Sequence, residues 1–117
     1  MIADDYPEMV KAVSRVLAKD CDVVGTVADG SALLDAAERL QPDVILLDLS
    51  LPNANGLEIC RQIARAHPQI RVIVFTALGD PDLDQRSFEF GASAFVSKMG
   101  DKGDLLSTIK RLSIDRG

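Results

Sequence analysis

Val44-Ile45-Leu46-Leu47 is an unbroken apolar run that stops at Asp48. Four apolar residues without polar alternation are what a strand covered on both faces requires. Val72-Ile73-Val74-Phe75 repeats the pattern and stops at Thr76. Val23-Val24, Thr26-Val27-Ala28 and Ala94-Phe95-Val96 are weaker versions, and Ile2-Ala3 reads as the tail of another. Between these runs lie apolar stripes of helical spacing: Val10, Val13, Val16 and Leu17; Leu33, Ala36, Ala37 and Leu40; Leu57, Cys60, Ile63 and Ala64; Leu105, Ile109 and Leu112. Such stripes suit helices lying on a sheet. Residues 78–90 predict a fourth helix with a thinner apolar face. The five prolines all fall at segment boundaries, where a missing N–H costs nothing. The order is strand then helix, five times over, which predicts a doubly wound α/β fold: a parallel sheet with helices on both faces.

Composition narrows the function. A chain of 117 residues points to one domain. Thirteen basic against eighteen acidic residues give a net charge of −5, which disfavours direct nucleic-acid binding. Cys21 and Cys60 form neither a disulfide framework nor a zinc cluster, and read as thiols of a reducing compartment. No apolar run approaches the roughly 18 residues of a membrane span. With Asp4 and Asp5 so close to Met1, no signal peptide is expected, and a cytoplasmic location is expected with it.

In open parallel sheets, sites form at the carboxyl ends of the strands, beside the point where strand order reverses. The residues there are Asp4, Asp5, Asp48, Thr76 and Lys98. Each has an ordinary explanation when taken alone. An Asp pair ahead of a helix is a cap favoured by the helix dipole. Asp48 before Leu51-Pro52-Asn53 is a turn former; threonine is common in strands, and most loop lysines are solvated.

Their shared position changes the reading. Three carboxylates at one edge repel, and alone one of them would tend to hold a proton. A hard divalent cation relieves this, and Mg²⁺ suits one or two carboxylates plus phosphate oxygens. Lys98 would then pair with a phosphoryl charge and Thr76 would hydrogen-bond one of its oxygens, as phosphoryl transfer requires. A metal-dependent phosphatase with an Asp48 nucleophile would want an acid two residues on, where Ser50 stands, and serine is a poor general acid. A nucleotide- or flavin-binding module would want glycine or hydroxyl residues in the first loop, where Asp-Asp-Tyr-Pro would repel phosphate.

Asp4-Asp5, Val44 to Asp48, Leu51-Pro52-Asn53-Ala54-Asn55-Gly56, Phe75-Thr76-Ala77 and Gly91 to Lys98 together resemble the receiver domain of two-component response regulators. The likeness covers essentially the whole chain. It implies a flavodoxin-like (βα)5 fold with strand order 2-1-3-4-5. It implies that Asp48 is the phosphoacceptor, taking its phosphoryl group from a sensor histidine kinase or phosphotransfer protein. Asp5 would bind Mg²⁺ directly and Asp4 mainly through water, with Asp48 and the Ser50 backbone carbonyl completing the ligands. Thr76, Lys98 and the main-chain N–H groups of Leu49 and Ala77 would hold the phosphoryl oxygens. Thr76 and Phe95 resemble the switch pair, Phe95 turning inward when Thr76 moves. A homodimer on phosphorylation is a further implied partner; nucleic acid and membrane are not. A phosphorylation-independent pseudo-receiver is the binding-module alternative, which three crowded carboxylates argue against.

Two departures carry expectations. Met99 follows Lys98 where the family often has proline, so a trans bond is expected there. Only Met1, Ile2 and Ala3 precede the acidic pair, so the first strand should be short and the sheet less stable. The expected organisation is one receiver domain over residues 1–117, trimmed or naturally short at that strand, with no output domain in the chain. Asp4-Asp5-Tyr6-Pro7 and the lysine without its proline look most like receivers joined to LuxR-type helix-turn-helix domains, which implies transcription control. A stand-alone receiver signalling by protein contact is the alternative. Leu78, two residues past Thr76, cannot orient a hydrolytic water, which predicts a long-lived phosphoryl group.

Overall fold

Side chains alternate across a strand, so a continuous apolar run must find apolar cover on both sides. A computed structural model shows how. It describes residues 1–53, 55–77, 82–100 and 102–115, with side chains for all of these but 102 and 113–115. Leu78 therefore lies outside the described residues.

The chain runs β1 (Ile2–Ala3), α1 (Pro7–Leu17), β2 (Thr26–Val27), a 3-10 turn (Gly30–Ala32) leading into α2 (Leu33–Leu40), and β3 (Val44–Leu47). It continues through α3 (Gly56–Ala66), β4 (Arg71–Thr76), α4 (Leu83–Glu89), β5 (Ala94–Ser97) and α5 (Lys102–Asp115). All neighbouring strands are parallel, in the order β2-β1-β3-β4-β5. This is the doubly wound arrangement the apolar runs predict, in the strand order the receiver likeness implies.

Ile45, Leu47, Val72 and Val74 enter one apolar layer, with Leu33, Ala37, Cys60 and Ile63 of α2 and α3. Leu46, Ile73 and Phe75 enter the opposite layer, with Val13 and Leu17 of α1 and Leu105, Ile109 and Leu112 of α5. The helical stripes face inward as expected, and Ile59 joins them on α3. The helix within residues 78–90 is described as Leu83–Glu89 and buries Leu83 and Ser87, whose hydroxyl donates to the Leu83 carbonyl at 2.7 Å. A serine that satisfies itself on its own helix explains why the apolar face looked thin.

Helix boundaries follow local chemistry. Pro7 sits in the first turn of α1. The Asn55 side-chain oxygen accepts from Glu58 N at 3.2 Å and caps α3. Gln41, with φ 47°, ends α2 in a left-handed conformation ahead of Pro42. Gly91 is required where it stands: its φ is +100°, and a Cβ there would lie 2.6 Å from Ala64 Cβ.

β1 is two residues long, as the short start predicts, yet it pairs on both sides. Met1 extends the ladder by donating its terminal nitrogen to Val44 O at 2.9 Å and accepting from Leu46 N. The Lys98–Met99 bond is trans, as expected, and no cis peptide bond occurs among the described residues. No described helix is long and apolar enough to cross a membrane.

Candidate functional site

The strand order reverses between β1 and β3, whose chains leave in opposite directions toward β2 and β4. Asp4 and Asp48 are the residues that follow these two strands. Their backbones are held by the ladder itself: Asp4 N donates to Val27 O, and Asp48 N to Ala3 O, each at 2.9 Å. The main chain at both aspartates is therefore fixed by the sheet, and side-chain contacts then orient the carboxylates.

Asp4 is buried, with its side chain 3% exposed. Its Oδ1 accepts from Tyr6 N at 2.9 Å and its Oδ2 accepts from Lys98 Nζ at 2.5 Å. The α1 cap position is Tyr6, without a side-chain cap. The carboxylate of Asp4 thus closes a turn on the loop and does not cap the helix. Asp48 is equally enclosed: its Oδ1 accepts from Ser50 N at 3.0 Å and Ser50 Oγ at 3.1 Å, and its Oδ2 from Lys98 Nζ at 3.2 Å. The bond to Ser50 N is the turn former's bond, so the ordinary reading of Asp48 holds for one oxygen only.

Lys98 is not a solvated loop lysine. Its side chain is 9% exposed, its backbone N–H donates to Thr76 O at 2.9 Å, and its ammonium lies 5.7 Å from the Phe75 ring centroid. Two carboxylates and an aromatic face surround the charge, a setting in which a buried cation is tolerated. Thr76 is fully buried at the end of β4, in register with Ser97. Phe95, half-buried, packs against the α2–α3 layer, in register with Val74.

Asp5 differs from its neighbour in being exposed. One carboxylate oxygen from each of Asp4, Asp5 and Asp48 lies within 4.8 Å of the others. The sheet edge therefore brings together all the residues named from sequence: Asp4, Asp5, Asp48, Thr76 and Lys98, with Ser50 beside them. Three carboxylates against one ammonium leave a formal charge of −2. An all-oxygen donor set with that residual charge fits a hard dication.

Ser50 plays a part its sequence position did not reveal, because its hydroxyl and its N–H both hold Asp48 Oδ1. A second missed pair, Asp29 and Asn53, joins the neighbouring loop through Asn53 Nδ2 donating to Asp29 Oδ2 at 2.6 Å. Asp29-Gly30 at a helix start and Pro52-Asn53 in a turn were the available signals. A groove of about 340 Å³ opens at the other end of the strands, beside Met1, Cys21, Pro42 and Val44, away from these groups.

An acidic edge at the switch point of a 2-1-3-4-5 sheet, crossed by one buried lysine, defines the receiver class. Residues 1–110 match the response regulator receiver domain, and the chain belongs to that family, the signalling receivers of two-component systems. It is 36% identical, over 98% of its length, to a protein-glutamate methylesterase/protein-glutamine glutaminase of Treponema pallidum, covering 30% of that protein. The chain spans about half or less of the length of the curated relatives it matches. Among solved structures it resembles a LuxR-family response regulator from Aurantimonas sp. SI85-9A1, at 28% identity and TM-score 0.89, covering 97% of this chain and 83% of that one. It also resembles the BeF3-activated N-terminal receiver domain of Klebsiella pneumoniae RstA, at 30% identity and TM-score 0.86, covering 94% of this chain and 93% of that one.

Proposed function

We propose that Asp48 is a phosphoacceptor, phosphorylated in the presence of Mg²⁺ by a sensor histidine kinase or phosphotransfer protein. The observation that carries this reading is the placement of Lys98 between Asp48 and Asp4, with Asp5 beside them. A structural ion pair needs one carboxylate. Three clustered carboxylates with one ammonium leave negative charge that a further cation would offset.

In the transfer step, an Asp48 carboxylate oxygen forms the O–P bond while the P–N bond to the donor's imidazole breaks. The electron pair leaves on the imidazole nitrogen. Ser50 orients the nucleophile by holding Oδ1, leaving Oδ2 as the oxygen that shares Lys98. As charge moves onto the phosphoryl oxygens, Lys98 follows it away from Asp48, and the Thr76 hydroxyl and the N–H groups of Leu49 and Ala77 donate to the same oxygens. The chemistry a bound Mg²⁺ supplies there is neutralisation of carboxylate and phosphoryl charge. Asp5, exposed, suits direct ligation; Asp48 and the Ser50 carbonyl complete the set. Asp4 would act mainly through water, as the receiver likeness implies. The same pocket would slowly hydrolyse its own acyl phosphate.

A phosphoryl group adds about −1.5 to −2 charges and biases two pre-existing states. Thr76 moving toward it frees space at β5 for Phe95 to turn further in, which reshapes the surface of α4 and β5. The relatives include a methylesterase and a LuxR-family regulator, which supports one kind of receiver serving different outputs. The LuxR-like opening favours transcription control in the cytoplasm, through a DNA-binding module and a homodimer formed on phosphorylation. Phosphotransfer from a phosphohistidine donor to wild type and to Asp48→Ala tests the reading. Label in wild type alone, dependent on Mg²⁺, is expected. Label in both or neither favours a phosphorylation-independent pseudo-receiver.

A further inference from the structure

We propose that Asp29 is a positioning residue: its bond to Asn53 sets the loop after Asp48 so that the Ser50 carbonyl faces the metal. This rests on the reading of Asp48, Asp5 and Ser50 given above.

The loop from Asp48 to Asn55 carries the Ser50 carbonyl, and a planar peptide fixes the direction of that carbonyl opposite to the N–H of Leu51. Leu51 N donates to Asp48 O at 3.3 Å, a long bond that orients the plane weakly. Leu51 itself is buried and anchors the loop's depth, not its rotation. The rotation is fixed one residue further on. Gly30 N donates to Pro52 O at 3.0 Å, and Asn53 Nδ2 donates to Asp29 Oδ2 at 2.6 Å.

Two bonds from adjacent residues on one loop to adjacent residues on another form a clamp, the Asn53–Asp29 bond spanning 24 positions of sequence. Each partner is held on its own side. Asp29 Oδ1 accepts from Ser31 N at 2.7 Å at the start of the 3-10 turn. Asn53 adopts φ 62°, a left-handed conformation that asparagine and aspartate tolerate better than other non-glycine residues. These bonds to Asn53 and Ser31 hold the Asp29 carboxyl below the ordinary carboxylate range. The charged form is the one the clamp uses.

The chemistry of the pair permits a reciprocal swap. Asp29→Asn keeps an oxygen for Ser31, and Asn53 can turn its amide to accept from the new one, so this change weakens the clamp only mildly by exchanging a charged acceptor for a neutral pair. Asn53→Asp sets carboxylate against carboxylate. The double variant, Asp29→Asn with Asn53→Asp, restores both bonds: the amide now donates from the first loop to a carboxylate on the second. It leaves the net charge unchanged. Asn53→Asp is the decisive single change, since its added negative charge alone would tighten cation binding.

The experiment measures amide hydrogen exchange at Ser50 and Leu51 without metal, and Mg²⁺ affinity by calorimetry, in wild type, both single variants and the double. Asn53→Asp is expected to speed exchange and to weaken Mg²⁺ binding by about two- to fivefold, less than the 10- to 100-fold of a group bonded directly to a ligand, and Asp29→Asn to do both to a smaller extent. The double should return to within about twofold of wild type. Asn53→Asp indistinguishable from wild type, Asn53→Asp binding Mg²⁺ more tightly, or a double no better than Asn53→Asp would each overturn the clamp. If wild type itself ignores Mg²⁺, the phosphoacceptor reading fails, and exchange rates with their rescue decide the clamp alone.

Discussion

Lys98 Nζ stands 3.2 Å from Asp48 Oδ2 while also donating to Asp4, bridging residues 50 and 94 positions away in sequence. Among the described residues it is the cation that makes two buried carboxylates compatible. Replacing it with the neutral, similarly long methionine leaves those carboxylates unpaired. Lys98→Met should lose up to about 3–5 kcal/mol in metal-free solution. Saturating Mg²⁺ should then stabilise the variant more than wild type, because the dication no longer competes with an ammonium. Urea titrations with and without Mg²⁺ measure this. Equal Mg²⁺ increments in the two proteins would show that lysine and metal do not share the site.

Gly91 gives a test of the fold rather than the site. Gly91→Ala combines a positive φ with a Cβ 2.6 Å from Ala64 Cβ, and overpacking of this kind costs about 1–3 kcal/mol before backbone strain is added. Ala64→Gly in the same chain removes the clash and leaves the strain, so it should recover only part of the loss. Full recovery in thermal melts would mean the backbone is unstrained there.

Cys60 supplies a pH dependence. Burial within the α2–α3 layer pushes its thiol up to about 11 from 9.0. The folded state keeps its proton longer than the unfolded chain does. This contribution is fully present below about pH 9 and is lost as pH rises toward 11, a change of up to about 2–3 kcal/mol. Cys60→Ala should be less stable near neutrality through its cavity, and should show a shallower decline over that range. Parallel alkaline declines would remove Cys60 from the account.

Phe95 tests the switch. It is half-buried against the α2–α3 layer, so an inward turn has room to change its exposure. Adding beryllofluoride and Mg²⁺ as a phosphoryl mimic should reduce that exposure, seen in ring proton shifts. Thr76→Ala, which removes the hydroxyl that moves, should abolish the change. A ring that responds equally in both proteins would separate Phe95 from Thr76.

What sequence makes legible here is what depends on neighbours in the chain. Val44–Leu47 and Val72–Phe75 declare two-sided burial by themselves, and from them follow the sheet and its chemical edge. β1 and β2, at two residues each, are strands because β3 and each other make them so, and no local pattern compels it. The acid cluster was readable because strand ends converge by topology. The immediate partner of Lys98 was not. Position alone aimed it at a phosphoryl oxygen, whereas its ammonium is paired with Asp4 and Asp48. Asp29 and Asn53 each read as ordinary turn residues, and only the packing of two loops reveals their bond.

The central claim is that Asp4, Asp5 and Asp48 coexist at this edge because a dication belongs among them. Denaturant midpoints across a Mg²⁺ titration test it most directly, in wild type and in Asp5→Asn, which alters the exposed carboxylate and leaves the Lys98 bridge intact. Wild type should gain stability as Mg²⁺ rises, and Asp5→Asn should lose most of that gain while remaining folded. A wild-type midpoint that does not move with Mg²⁺ would contradict the account.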